Sequence, residues 1–148
     1  MQTAKFSFST DTATLAVFDL EAIKHRINDS PDWWSIPEDE LDEINQGNII
    51  FLGLGSDGAY SVDILDSMSD CDGSLYMKAP SGHIYVGAGE DTTGGDLEPD
   101  GSEYMSGIYL KLEIGNYLVR FKREDNVIKL SFSLADRDFN KLDSPISL

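Results

Sequence analysis

The densest run of ionisable groups in this sequence is Glu38-Asp39-Glu40-Leu41-Asp42-Glu43, five carboxylates in six positions. On a helix, Glu38 faces Asp42 and Asp39 faces Glu43, and each like-charge pair costs a few tenths of a kcal/mol. Acids in the first turn complement the helix dipole. Asp42 and Glu43 lie beyond that turn, and no Lys or Arg within the run relieves them. A locally unfavourable arrangement of this kind marks a surface kept for function. Trp33 and Trp34 immediately precede the run. An exposed indole ringed by carboxylates would anchor a contact with a positively charged protein. Buried indoles would instead form a lid on the helix. Adjacent residues in extended chain point opposite ways, so one ring is expected inside and one outside.

A second acidic stretch contains Glu90, Asp91, Asp96, Glu98 and Asp100. Oxygen ligands on a loop suit a hard cation, and Asp96, Glu98 and Asp100 fall at the first, third and fifth positions of a calcium loop. The twelfth position, which needs a bidentate Glu, holds Gly107. The helix–loop–helix form is therefore excluded, leaving a solvated loop or a looser site. Gly53-Leu54-Gly55-Ser56-Asp57-Gly58 has the letters of a dinucleotide fingerprint. That chemistry needs a helix next, whereas Tyr60-Ser61-Val62-Asp63-Ile64 alternates as a strand. His25 and His83 lack zinc-ligand spacing, and no Gly-x-Ser-x-Gly elbow occurs. The expectation is a protein without catalytic residues, metal or cofactor.

Charge narrows the partner. Among 148 residues, 27 acids oppose 11 bases, giving −16. Such a field repels nucleic acids and anionic membrane surfaces, because binding them requires Lys and Arg to displace counterions. It attracts cationic proteins. The split is uneven: residues 1–105 carry −17 and residues 106–148 carry +1. The longest apolar run, Ile49 to Gly55, is far short of the roughly 20 residues of a membrane helix. Cys71 is the sole cysteine, and no export signal is visible at Met1–Lys5, which suits the cytoplasm.

The elements that must position these residues read as mainly β. Alternation marks strands at Phe6–Phe8, Thr12–Asp19, Ile49–Leu54, Tyr60–Ile64, Leu75–Lys78, His83–Val86, Met105–Ile114, Tyr117–Lys122 and Val127–Leu134. Turn residues at Gly55–Gly58, Ala79–Gly82, Gly115-Asn116 and Glu124–Asn126 predict hairpins. A short helix over Leu20–Ile27, capped by Asp19, and a second opened by a Ser35–Glu38 capping box form an insertion at about 20–46. Gly47-Asn48 would end the second helix, whose buried stripe would be Ile36, Leu41 and Ile44. The tail from Ala135 reads as irregular, with Leu142, Ile146 and Leu148 docking on the core. The pattern predicts one domain over 1–148: an antiparallel β-sandwich or open barrel of about nine strands, with one or two short helices near the N-terminus.

In size, acidity and β-rich pattern, the chain resembles small acidic immunity proteins of bacterial interbacterial toxin systems. Trp33-Trp34, the acidic run and the Gly115-Asn116-Tyr117-Leu118-Val119 segment carry that likeness. The resemblance implies a protein that neutralises a basic toxin effector, such as a nuclease, by placing carboxylates where phosphates would lie. Trp33, Trp34, Glu38, Asp39, Asp42 and Glu43 would be its contact residues. The alternative is a calcium- or carbohydrate-binding β-sandwich module that uses the loop at 87–101.

Overall fold

The computed structural model describes residues 3–10, 12–23, 36–89 and 107–148. In chain order these form β1 (Ala4–Thr10), β2 (Thr14–Asp19), a 3-10 turn (Leu20–Ala22), α1 (Pro37–Asn45), β3 (Ile49–Gly53), β4 (Gly58–Leu65), β5 (Gly73–Ala79), β6 (His83–Ala88), β7 (Ile108–Lys111), β8 (Gly115–Glu124), β9 (Val127–Ala135) and β10 (Ile146–Ser147). The strands make two five-stranded sheets in a sandwich. One runs β1-β4-β9-β8-β5 and the other β10-β3-β2-β6-β7.

Alternation explains the first sheet. Tyr60, Val62 and Ile64 of β4, Val119 and Phe121 of β8, and Ile128, Leu130 and Phe132 of β9 are buried. Ser61, Asp63, Arg120 and Lys129 between them are partly exposed, as a half-buried strand requires, and Ser131 is the exception at 2%. The second sheet is apolar almost throughout. Every residue of β2 is buried, as are the first four of β3 and the last five of β6. Strands covered on both faces read as continuous apolar runs, which accounts for Ile49–Leu52. Leu142, Ile146 and Leu148 of the tail pack on this core.

Three of the four expected hairpins are corners between sheets. β3 and β4 do not pair, although Gly55-Ser56-Asp57-Gly58 joins them, and the same holds for β5–β6 and β7–β8. Gly115–Val119 accordingly begins β8 and is not a hairpin. Only β8 and β9 form the expected antiparallel pair. A tight turn reverses the chain equally well within a sheet or across a sandwich, so turn residues alone do not choose. The sheets are also mixed: β4 runs parallel to β9 and β10 parallel to β3. The tail is thus ordered by a tenth strand.

Candidate functional site

Pro37 opens α1, where its missing N–H is no loss. Ile36 is the N-cap, in extended conformation and without a side-chain cap bond. The expected Ser35–Glu38 capping box involves Ser35, which lies outside the described residues. Gly47, at φ +75°, ends the helix as expected. A methyl group there would collide with the carbonyl of Asp138. Four polar contacts pin the end of α1 to the tail, one of them a backbone bond from Asn140 N to the Asn45 carbonyl at 2.8 Å. Asn45 Nδ2 donates to the Leu142 carbonyl at 3.2 Å and its Oδ1 accepts from Leu142 N at 2.8 Å. Asn140 Nδ2 donates to the Ile44 carbonyl at 2.8 Å.

This mounting sorts the acidic run. Ile44 is wholly buried and Leu41 half-buried, but Ile36 is 52% exposed, so the expected stripe is narrower than three residues. Glu43 is 2% exposed, and its Oε1 accepts a 2.8 Å hydrogen bond from Asn48 Nδ2. It is a structural carboxylate and does not stand with the others at the surface. Asp39 and Glu40 are half-buried, and burial raises the Glu40 carboxyl above its ordinary value. Glu38 and Asp42 are exposed, one turn apart. Neither carboxylate has an ion-pair partner among the described residues. Ile36 completes the exposed set: an apolar side chain at the head of a helix with two uncompensated acids. Its place before Pro37 was the available signal, because a residue preceding proline is held extended and out of the helical stripe.

Trp33, Trp34 and the loop acids Glu90, Asp91, Asp96, Glu98 and Asp100 lie outside the described residues. Among the described residues, no group of three or more His, Cys, Asp or Glu is arranged to hold a metal ion.

Acids at the opposite end of the sandwich behave differently. Asp70 accepts a 2.7 Å bond from Lys122, which lowers its pKa and raises that of the lysine. Glu124 takes Lys129 at 2.8 Å and is likewise lowered. Asp72 Oδ2 accepts from Arg123 N at 2.8 Å. Asp70 and Glu124 are thus matched to cations of the same chain, and Asp72 to a backbone N–H.

No curated protein matches the sequence. A solved structure described as "Crocagin biosynthetic gene J" is similar over 92% of this chain and 98% of its own, with TM-score 0.50 and 16% identity. At that identity the likeness is one of fold. The model of the family of unknown function DUF6386 matches residues 1–148, and the chain belongs to that family.

Proposed function

We propose that this protein binds a basic protein partner through the α1 end of the sandwich, as a cytoplasmic immunity protein or inhibitor shields the cationic groove of a nuclease-type toxin. One observation carries the reading. Glu38 and Asp42 are exposed and lack ion-pair partners among the described residues, beside the half-exposed Ile36, whereas Asp70 and Glu124 are matched internally. Unmatched charge on a helix headed by an exposed apolar side chain suits a recognition surface: the apolar group supplies desolvated contact and the acids steer the encounter. The net charge of −16 reinforces that steering.

Affinity capture from the source cells at low salt, with mass spectrometry of the retained proteins, tests the reading. One basic protein should dominate and should be released as salt rises. The double variant Glu38→Lys/Asp42→Lys should abolish its retention with an unchanged circular dichroism spectrum. Undiminished capture by the folded double variant would remove α1 from the proposal.

A further inference from the structure

Among the described residues, four strands lie at sheet edges: β1 and β5 in the first sheet, β10 and β7 in the second. An unpaired edge is a template for another strand, so folded proteins shorten, cover or charge it. Three of the four are managed in this way. β10 has two residues and β7 four, and Tyr109 and Lys111 of β7 have further contacts. β5 is long, but Asn140 takes the Tyr76 N–H and carbonyl, and the Gly47 carbonyl takes the Lys78 N–H at 2.7 Å. β1 differs. Its seven residues pair with β4 in unbroken register, from Ala4 against Ile64 to Thr10 against Gly58, without bulge or proline. Its one charge, Lys5, lies 3.8 Å from Asp63 of β4.

The register shows which groups of β1 face outward. Ser61 N donates to the Asn126 carbonyl at 2.8 Å, on the β9 side of β4. Ser61 thus turns its backbone polar groups away from β1, and it forms a non-hydrogen-bonded pair with Ser7. Ser7, and Lys5 two residues before it, therefore present N–H and C=O to the open edge. There neither has a backbone partner among the described residues. Phe6, on the core side, is only half-buried, whereas Phe8 is 2% exposed.

From this edge we infer that β1 pairs with β1 of a second copy of the chain, antiparallel about Ser7. Phe6-Ser7-Phe8 reads the same in both directions. A two-fold contact sets Ser7 against Ser7 of the second copy, with two backbone hydrogen bonds exchanged. On each side of the axis, Phe6 of one copy meets Phe8 of the other, an aromatic cross-strand pair that covers the half-buried ring. Charge selects the same occupant. A basic strand would meet Lys5, and an acidic strand would meet the field of a −16 chain. β1 is neither: residues 1–10 hold one base and no acid. The two Lys5 residues lie about 14 Å apart along the strands, beyond the screening length of about 8 Å at physiological salt. α1 is tied to β5, at the opposite edge of the same sheet, so this seam does not depend on the contact proposed at Glu38 and Asp42.

Sedimentation velocity of the full chain tests the seam. A two-strand contact is smaller than a standard interface, so the mass should rise from monomer towards dimer between about 0.01 and 1 mM. Added salt should move that rise to lower concentration, because it screens the repulsion between the copies. Ser7→Pro removes an edge N–H and none from the β1–β4 ladder, and it should stay monomeric. Ser7→Lys sets like charges face to face and should do the same. In a Cys71→Ser background, Ser7→Cys should oxidise to a linked dimer. Lys5→Cys should not, because that register holds its two thiols too far apart for a disulfide. Glu38→Lys/Asp42→Lys should dimerise as the parent does. Should Ser7→Pro fail to fold, Ser7→Lys and the cysteine pair decide. A parent that stays monomeric, a dimer that survives both Ser7 variants, or equal linking through Lys5→Cys would overturn the inference.

Discussion

Arg123 shows how one side chain can close an end of the sandwich. Its Nη1 donates to the Leu54 carbonyl at 2.7 Å and to the Leu148 carbonyl at 3.3 Å, and its Nε donates to the Asp125 carbonyl at 2.8 Å. The guanidinium also lies over the Tyr60 ring, 5.4 Å from its centroid. Lysine keeps the charge but loses the planar fork. Arg123→Ala should cost about 2–3 kcal/mol in urea unfolding, and Arg123→Lys should recover less than half of that. Glu40 acts in the opposite sense. Its folded carboxyl is raised by burial, so its charged form is disfavoured in the native state. The native state therefore gains from Glu40 at low pH, and that gain is lost as pH rises through the raised value. Glu40→Gln should raise the urea midpoint at neutral pH, and the advantage should vanish as pH falls below the carboxylate range. A midpoint shift that is the same at every pH would show that the charge is not its cause.

At the scale of the element, Asn140 substitutes for a strand. Its Oδ1 accepts from Tyr76 N and its Nδ2 donates to the Tyr76 carbonyl, both at 2.8 Å. β5 lies at the edge of its sheet, and an open edge recruits other chains. The Asn140 side chain occupies part of that edge and ties it to α1. Asn140→Ala should destabilise the fold by about 2 kcal/mol and increase aggregation near the midpoint, measured by light scattering during thermal unfolding. Much of the strand content was legible because Tyr60, Val62 and Ile64, or Ile128, Leu130 and Phe132, alternate with polar residues. The end of α1 was legible in Gly47. Sheet membership was not, because Gly55–Gly58 and Pro80-Ser81-Gly82 turn the chain without specifying which sheet receives it. The parallel partners of β4 and β10 carry no local mark at all. For the candidate site, the acidic run was visible as composition. The inward placement of Glu43 depends on Asn48 and on how α1 lies against β3, which is tertiary information.

Across the whole molecule, charge is arranged by layer. Lys5, Arg120, Lys122 and Lys129 occupy polar positions on the outer side of the first sheet, which explains why the β8–β9 pair lifts the balance of the last third of the chain. Lys122 and Lys129 are direct cross-strand neighbours, and both reach Glu124, at 3.8 and 2.8 Å. Acids nevertheless outnumber bases by 16, so net repulsion dominates at low ionic strength. Raising salt from about 0.01 M to about 0.15 M shortens the screening length from roughly 30 to 8 Å. The thermal midpoint should rise by several degrees over that range, followed by differential scanning calorimetry; a fall would mean that the internal ion pairs outweigh the repulsion. The parallel seam between β4 and β9 has a consequence for biosynthesis. β4 leaves the ribosome long before its central partner, so the nascent chain must carry an unfilled gap in that sheet while the intervening residues are translated. β10 joins β3 only after every intervening strand has been made. Both seams therefore close late, and chaperone protection matters most during that wait.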